Sequence, residues 1–153
     1  LLCHWDAHRA NLTSSTGDRG TIETIALDWA NLGWGPAGAE LSQLLAKTVD
    51  VLRLRPDELP ALDAGLFAHY VDGLRDGGWQ GEIAHVRFGY AASASARLLA
   101  RTASVVHLAR NDRARAGYER AAGQSFGVLA DGFKATLPYY LSLAEEAASL
   151  SGS

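Results

Sequence analysis

A histidine, two acids and a carboxamide within the first 28 residues restrict what this chain can fold into more than anything that follows. His4-Trp5-Asp6-Ala7-His8-Arg9-Ala10-Asn11 reads H-x-D-x-x-x-x-N, and Ile25-Ala26-Leu27-Asp28-Trp29 sets a lone acid at the end of an apolar strand. Between them, Thr16-Gly17-Asp18-Arg19-Gly20 is a turn sequence whose glycines accept positive φ. Thr21, Ile22, Thr24 and Ile25 give the returning strand its β-branched character. The spacing predicts a hairpin over 12–27 that carries Asp28 back beside Asp6 and Asn11, so that acids distant in sequence converge in space.

Such a set suits phosphoryl transfer. One carboxylate orients the attacking hydroxyl and accepts its proton, and two hard oxygen ligands hold magnesium on the nucleotide phosphates. Either half of the pattern alone recurs by chance in unrelated chains; the joint occurrence is far more specific. Each residue also has a plainer reading. Asp6 and Asn11 are of the type that caps turns. His4 suits a packed, hydrogen-bonded structural role, and Trp29 a core aromatic with its indole N–H satisfied. Trp5 either lines a substrate mouth or is buried against the hairpin.

With those residues in view, the chain resembles the aminoglycoside phosphotransferase and choline kinase group, which has a protein-kinase-like fold. His4, Asp6, His8 and Asn11 sit as in that group's H-G-D-x-H-P-x-N loop. Leu27-Asp28-Trp29, followed by Gly33, Gly35-Pro36 and Glu40-Leu41, is similar to its I-D-W segment and the G-P-x-x-x-D-L after it. These motifs cover about the first 45 residues, and the helical remainder is similar only in general pattern. The resemblance implies Asp6 as the catalytic carboxylate, Asn11 and Asp28 as the magnesium ligands that hold the donor nucleotide, and His4 as a brace of the catalytic loop. It implies ATP or GTP as phosphoryl donor and a small hydroxylated molecule as acceptor. Trp5 replaces a glycine of the pattern, Arg9 a proline, Ala10 a glycine of many members and Glu40 the usual aspartate. None of these removes a reacting group, although the first three bear on the shape of the loop.

Neither a glycine-rich phosphate loop nor a lysine in a V-A-I-K-like strand precedes His4, and the only lysines, Lys47 and Lys134, fall in helical segments. The resemblance therefore implies that the amino-terminal lobe lies outside these 153 residues and that this chain alone is inactive. Apolar surface facing that lobe would then be covered by it or would drive self-association.

With 48% hydrophobic and 20% charged residues, the chain has apolar material for one compact domain. A net charge of −3 with scattered basic residues leaves no footprint for nucleic acid. No apolar run approaches the roughly 20 residues that span a bilayer, and no signal-peptide pattern opens the chain. The single Cys3, in an apolar run, reads as a buried strand residue, and a reducing, cytoplasmic setting fits. Asn11-Leu12-Thr13 matches a glycosylation sequon by chance.

After Pro36 the apolar residues recur three and four apart, as in helices. The first helix is predicted over 38–54, burying Leu41, Leu44, Leu45, Val49 and Leu52, with Arg55-Pro56-Asp57 ending it. A second follows over 58–75, closed by Gly77-Gly78, and a third, rich in small residues, over 81–108. Asn111-Asp112 opens a fourth stretch, kinked by Pro138 before a last helix ending near Leu150. The expected fold is α+β, mainly α: a kinase-like carboxy-terminal lobe with a catalytic-loop hairpin followed by four to five helices. Residues 1–36 hold the loop, hairpin and metal-binding segment, 37–150 the helical part of the same lobe, and 151–153 a frayed tail.

Asp72, Asp76 and Glu82 are candidate contacts for a cationic substrate, though acids at helix ends are commonly solvated. Arg87, Arg97 and Arg101 share a helix at spacings that suit a solvated or salt-bridged face. Two function classes follow. One is a kinase acting on a small hydroxylated molecule; the other is a non-catalytic nucleotide-binding or scaffold protein of the same fold. Joint retention of Asp6, Asn11 and Asp28 favours the first, because carboxylates held together without a metal repel one another.

Overall fold

The computed structural model describes residues 1–17, 20–52 and 54–152. The β-branched segment after the turn pairs as its sequence dictates: β2 (Leu12–Thr16) and β3 (Ile22–Ala26) are antiparallel, with Leu12 opposite Ala26 and Thr16 opposite Ile22. Gly17 N–H donates to the Thr21 carbonyl, and Gly20 closes the turn with φ of 74°, a conformation a side chain resists. Asp18 and Arg19 of that turn lie outside the described residues. A second short antiparallel ladder joins β1 (Leu2–Cys3) to β4 (Gly33–Trp34), which ties the start of the chain to the segment just beyond Asp28.

Among the described residues five α-helices follow: α1 (Ala39–Leu52), α2 (Leu59–Asp76), α3 (Ile83–Arg110), α4 (Asp112–Ala122) and α5 (Phe126–Ser151). The fold is α+β and mainly α. Leu41, Leu45 and Val49 of α1 enter a core shared with Leu59, Tyr90, Leu98 and Leu143. Leu44 is half-buried, and the side chain of Leu52 lies outside the described residues. The small-residue character of α3 has a specific use at its amino-terminal half. A Cβ on Gly89 would stand 2.1 Å from the Ala37 carbonyl, and one on Gly38, whose φ is 88°, would stand 2.2 Å from the Val86 carbonyl. Backbone meets backbone here, so the entry to α1 is pinned on α3.

Two expectations need correcting. Pro138 does not divide the last helices: α5 runs through it from Phe126 to Ser151. The break falls earlier, where Gly123 takes φ of 63° and the Ser125 hydroxyl accepts from Val128 N–H, a local stop followed by a local start. Trp29 is not a core aromatic. It is half exposed, although its indole N–H does donate to the Ala26 carbonyl at 3.0 Å. Other boundaries hold to within a few residues, including the Gly77-Gly78 stop, where Gly78 takes φ of 85° and Trp79 N–H returns to the Leu74 carbonyl. Among the described residues no helix is long and apolar enough to cross a membrane.

Candidate functional site

The loop between β1 and β2 is built around His4, which is buried. Its backbone N–H donates to Glu40 Oε1 on α1, Asp6 N–H donates to its Nδ1 at 3.3 Å, and its Nε2 stands 2.7 Å from the Leu27 carbonyl. With Nδ1 accepting, Nε2 is the donor, so these partners assign the Nε2–H tautomer. The imidazole thus joins the backbone of Asp6 to the residue just before Asp28. Trp29 lies against it, ring centroids 4.6 Å apart.

Asn11 makes a second join. Its amide Nδ2 donates to the Asp6 carbonyl at 3.1 Å and to Asp6 Oδ2 at 3.2 Å, while its own carbonyl accepts from Leu27 N–H at 2.8 Å. Leu27 is therefore held by His4 on its carbonyl and by Asn11 on its amide, and Asp28 follows it directly. The turn from Arg9 to Asn11 is capped by neither Asp6 nor Asn11. His8 caps it, its Nδ1 accepting from Ala10 N–H at 3.2 Å, and its Nε2 faces Asp6 Oδ1 at 3.4 Å.

The Asp6 carboxylate is gripped from the helical side as well. Gln43 of α1, buried, donates from Nε2 to Asp6 Oδ1 at 3.1 Å. This residue escaped the sequence reading. Its signal is an uncharged polar side chain one helical turn beyond Glu40 among Leu41, Leu44 and Leu45, which puts Glu40 and Gln43 on one face. Beyond it, Arg97 of α3 is half-buried with Nε donating to Ser42 Oγ at 2.8 Å. Burial pushes the Arg97 guanidinium below the usual arginine range, and the nearby negative charge of Asp6 offsets part of that.

Backbone strain concentrates at this site. Trp5 has φ of 60° and Asp28 has φ of 55°, the two non-glycine residues with positive φ among the described residues. Aspartate enters that region far more readily than a bulky aromatic does. Trp5 is held there by packing: a Cβ on Gly35 would lie 2.5 Å from its Cζ2, and one on Gly33 would lie 3.3 Å from its Cδ1. Its indole lies over Gly33 of β4 and Gly35 just beyond it. The Asp28 carboxylate makes no capping hydrogen bond to the short helical turn Trp29–Asn31 that it precedes.

Chemically, Asp6, Asn11 and Asp28 offer hard oxygens of the kind magnesium takes. With its Nδ2 spent on Asp6 and its backbone carbonyl on Leu27, Asn11 has its side-chain oxygen Oδ1 to offer a cation. No group of three or more His, Cys, Asp or Glu side chains poised for a metal occurs among the described residues.

Asp72, Asp76 and Glu82 are exposed at the junction of α2 and α3, and none of them lines the pocket beside Gln43. Of the three arginines, Arg87 is salt-bridged to Asp63 and Glu146, whereas Arg97 and Arg101 line that pocket together. No family model, curated protein or solved structure matches the chain.

Proposed function

We propose that this chain carries the catalytic loop of a small-molecule phosphotransferase similar to the aminoglycoside phosphotransferase and choline kinase group, in the carboxy-terminal lobe of a kinase-like fold. The observation that carries the proposal is the Asp6 carboxylate itself, held on one side by the Asn11 amide and on the other by the Gln43 amide. The same loop is fastened through His4 and Asn11 to the residue preceding a second, uncapped carboxylate. A purely structural turn does not require an aspartate whose carboxylate is held by two amides.

In this reading Asp6 accepts a hydrogen bond from the acceptor hydroxyl and takes its proton. The hydroxyl oxygen bonds to the γ-phosphorus of ATP or GTP, the bond from that phosphorus to the β–γ bridging oxygen breaks, and the nucleoside diphosphate leaves. A carboxylate has about four lone-pair sites, so the Asn11 and Gln43 amides leave room for the substrate. Asn11 and Asp28 would hold the magnesium, which when bound supplies neutralisation of the phosphate charge. His4 keeps the loop and the Asp28 segment in register, and His8 flanks the carboxylate.

The proposal extends to the location and the partner. Cytoplasmic nucleotide is the phosphoryl donor, and a lobe that encloses the nucleotide covers the apolar ribbon around β1 to β4. Asp6→Ala in the full-length protein is expected to abolish transfer and leave nucleotide binding intact, whereas Asp28→Ala weakens magnesium-nucleotide binding itself. The split is read by turnover and by titration with Mg-ATP. Equal turnover in wild type and the Asp6 variant would show that this carboxylate takes no part in the chemistry.

A further inference from the structure

Gln43, whose amide donates to Asp6, also lines a pocket. The pocket lies between α1, α3 and α5, holds about 200 Å³, and has eight lining residues among those described, Gln43, Lys47, Arg97, Leu98, Arg101 and Tyr140 with two alanines. Three of the eight are cationic, and none of the eight is acidic. Arg97 is the informative one. It is half-buried, its hydrogen bond is made through Nε to a serine hydroxyl, and among the described residues no carboxylate lies within ion-pair distance of it. Keeping a guanidinium half out of water without a carboxylate costs free energy that a bound anion would recover, and the planar fork of the η nitrogens suits a carboxylate or a phosphate. Lys47 adds a second, exposed cation from α1 on the same pocket.

We propose that this pocket is the acceptor subsite and takes a small hydroxylated molecule bearing an anionic group, a carboxylate or a phosphate ester. The anion lies on Arg97 and Lys47, and its hydroxyl extends past Gln43 to Asp6. The acceptor assignment rests on the phosphotransfer reading; the anion site itself does not. Size and charge both exclude the alternative of a bulky polycation. The cavity is smaller than the roughly 300–1,000 Å³ of sites for drug-sized ligands, and its cations repel positive charge. Gln43 suits the junction, since its Nε2 is committed to Asp6 and its Oε1 can accept from a substrate hydroxyl.

Calorimetric titration with glycerol 3-phosphate and D-glycerate, against neutral glycerol and against ATP without magnesium, tests the site. Both hydroxylated anions are expected to bind and glycerol is not, with affinity falling as salt rises. Replacing Arg97 and Lys47 together by glutamine is expected to weaken the anions by about tenfold or more, as loss of charge-assisted hydrogen bonds does. Glycerol binding as tightly as its phosphate ester overturns the proposal without any variant, and so does anion binding indifferent to Arg97 and Lys47. ATP displacing the anions through Arg97 would give the pocket to the donor and overturn the acceptor assignment. If the anions bind through Arg97 but the full-length protein transfers no phosphate to them, the anion site stands and the phosphotransfer reading falls. Phosphorylation of neutral polyols with no anion bound does the reverse.

Discussion

At the scale of the residue, strain and packing meet at Trp5. A bulky side chain with positive φ costs about 1–2 kcal/mol, and here the indole recovers it by lying over Gly33 and Gly35. The large side chain at this position is thus matched by two glycines across from it. Gly35→Ala is expected to push the indole away, because the new methyl would stand 2.5 Å from Trp5 Cζ2 and 3.0 Å from Cys3 Sγ. Overpacking of that kind costs about 1–3 kcal/mol, to be read as a lower thermal midpoint together with a shift in tryptophan fluorescence; unchanged melting and emission would show that Trp5 is not fixed by this contact. The hairpin and its turn were legible in the sequence because turn and strand signals are local. Gln43 was not, since its meaning depends on where α1 lies relative to a loop 37 residues earlier.

Among elements, an ion cluster fastens three helices. Arg87 of α3 is bidentate to Asp63 of α2, at 2.8 and 2.9 Å, and bidentate to Glu146 of α5, at 2.7 and 2.8 Å, while Tyr139 of α5 donates to Asp63 as well. Burial alone would raise the Asp63 carboxyl, but the hydrogen bonds from Arg87 and Tyr139 outweigh it and hold the group below its ordinary value. A depressed carboxyl stabilises the fold above its unfolded pKa of about 3.9, and that contribution is lost as pH falls further, through the folded value. Stability is therefore expected to fall steeply below about pH 4, and Asp63→Asn to flatten that limb while costing about 3–5 kcal/mol at neutral pH, as breaking a buried pair does. Chemical denaturation at several pH values checks both. An acid limb identical in the variant would remove Asp63 from the account. No sequence pattern announces this cluster, because its partners are 24 and 59 residues apart on separate helices. The periodicity that located the helices says which face is apolar, and nothing about which charges will meet. Pro138 misled for a related reason: its fixed φ and missing N–H suggest an end, yet the Gly123 and Ser125 signals already supply the break between α4 and α5.

Over the whole molecule, apolar surface is distributed unevenly. Large apolar side chains are exposed on the helices too, Leu99 at 72% among them, but the ribbon end carries the two most exposed, Ile22 at 79% and Trp34 at 82%, together with Leu2, Ile25, Trp29 and Leu32. Exposed apolar surface gathered at one end of a molecule marks contact with something else. Light scattering of the chain is expected to show association that grows with concentration and recedes in an Ile22→Thr, Trp34→Ser double variant, with little change in thermal midpoint because neither side chain is buried. A strictly monomeric chain that also binds Mg-ATP tightly would show that this end needs no cover. The two halves are joined through α1. Glu40 holds the His4 amide and Gln43 holds the Asp6 carboxylate, one turn apart on a single rigid helix whose entry is pinned on α3. The loop is accordingly tied to one helix at two points. A shift of α1 carries the backbone at His4 and the carboxylate of Asp6 together, so a ligand that presses on α1 or α3 from the pocket side alters the aim of that carboxylate, and thermal agitation of the loop follows the helix.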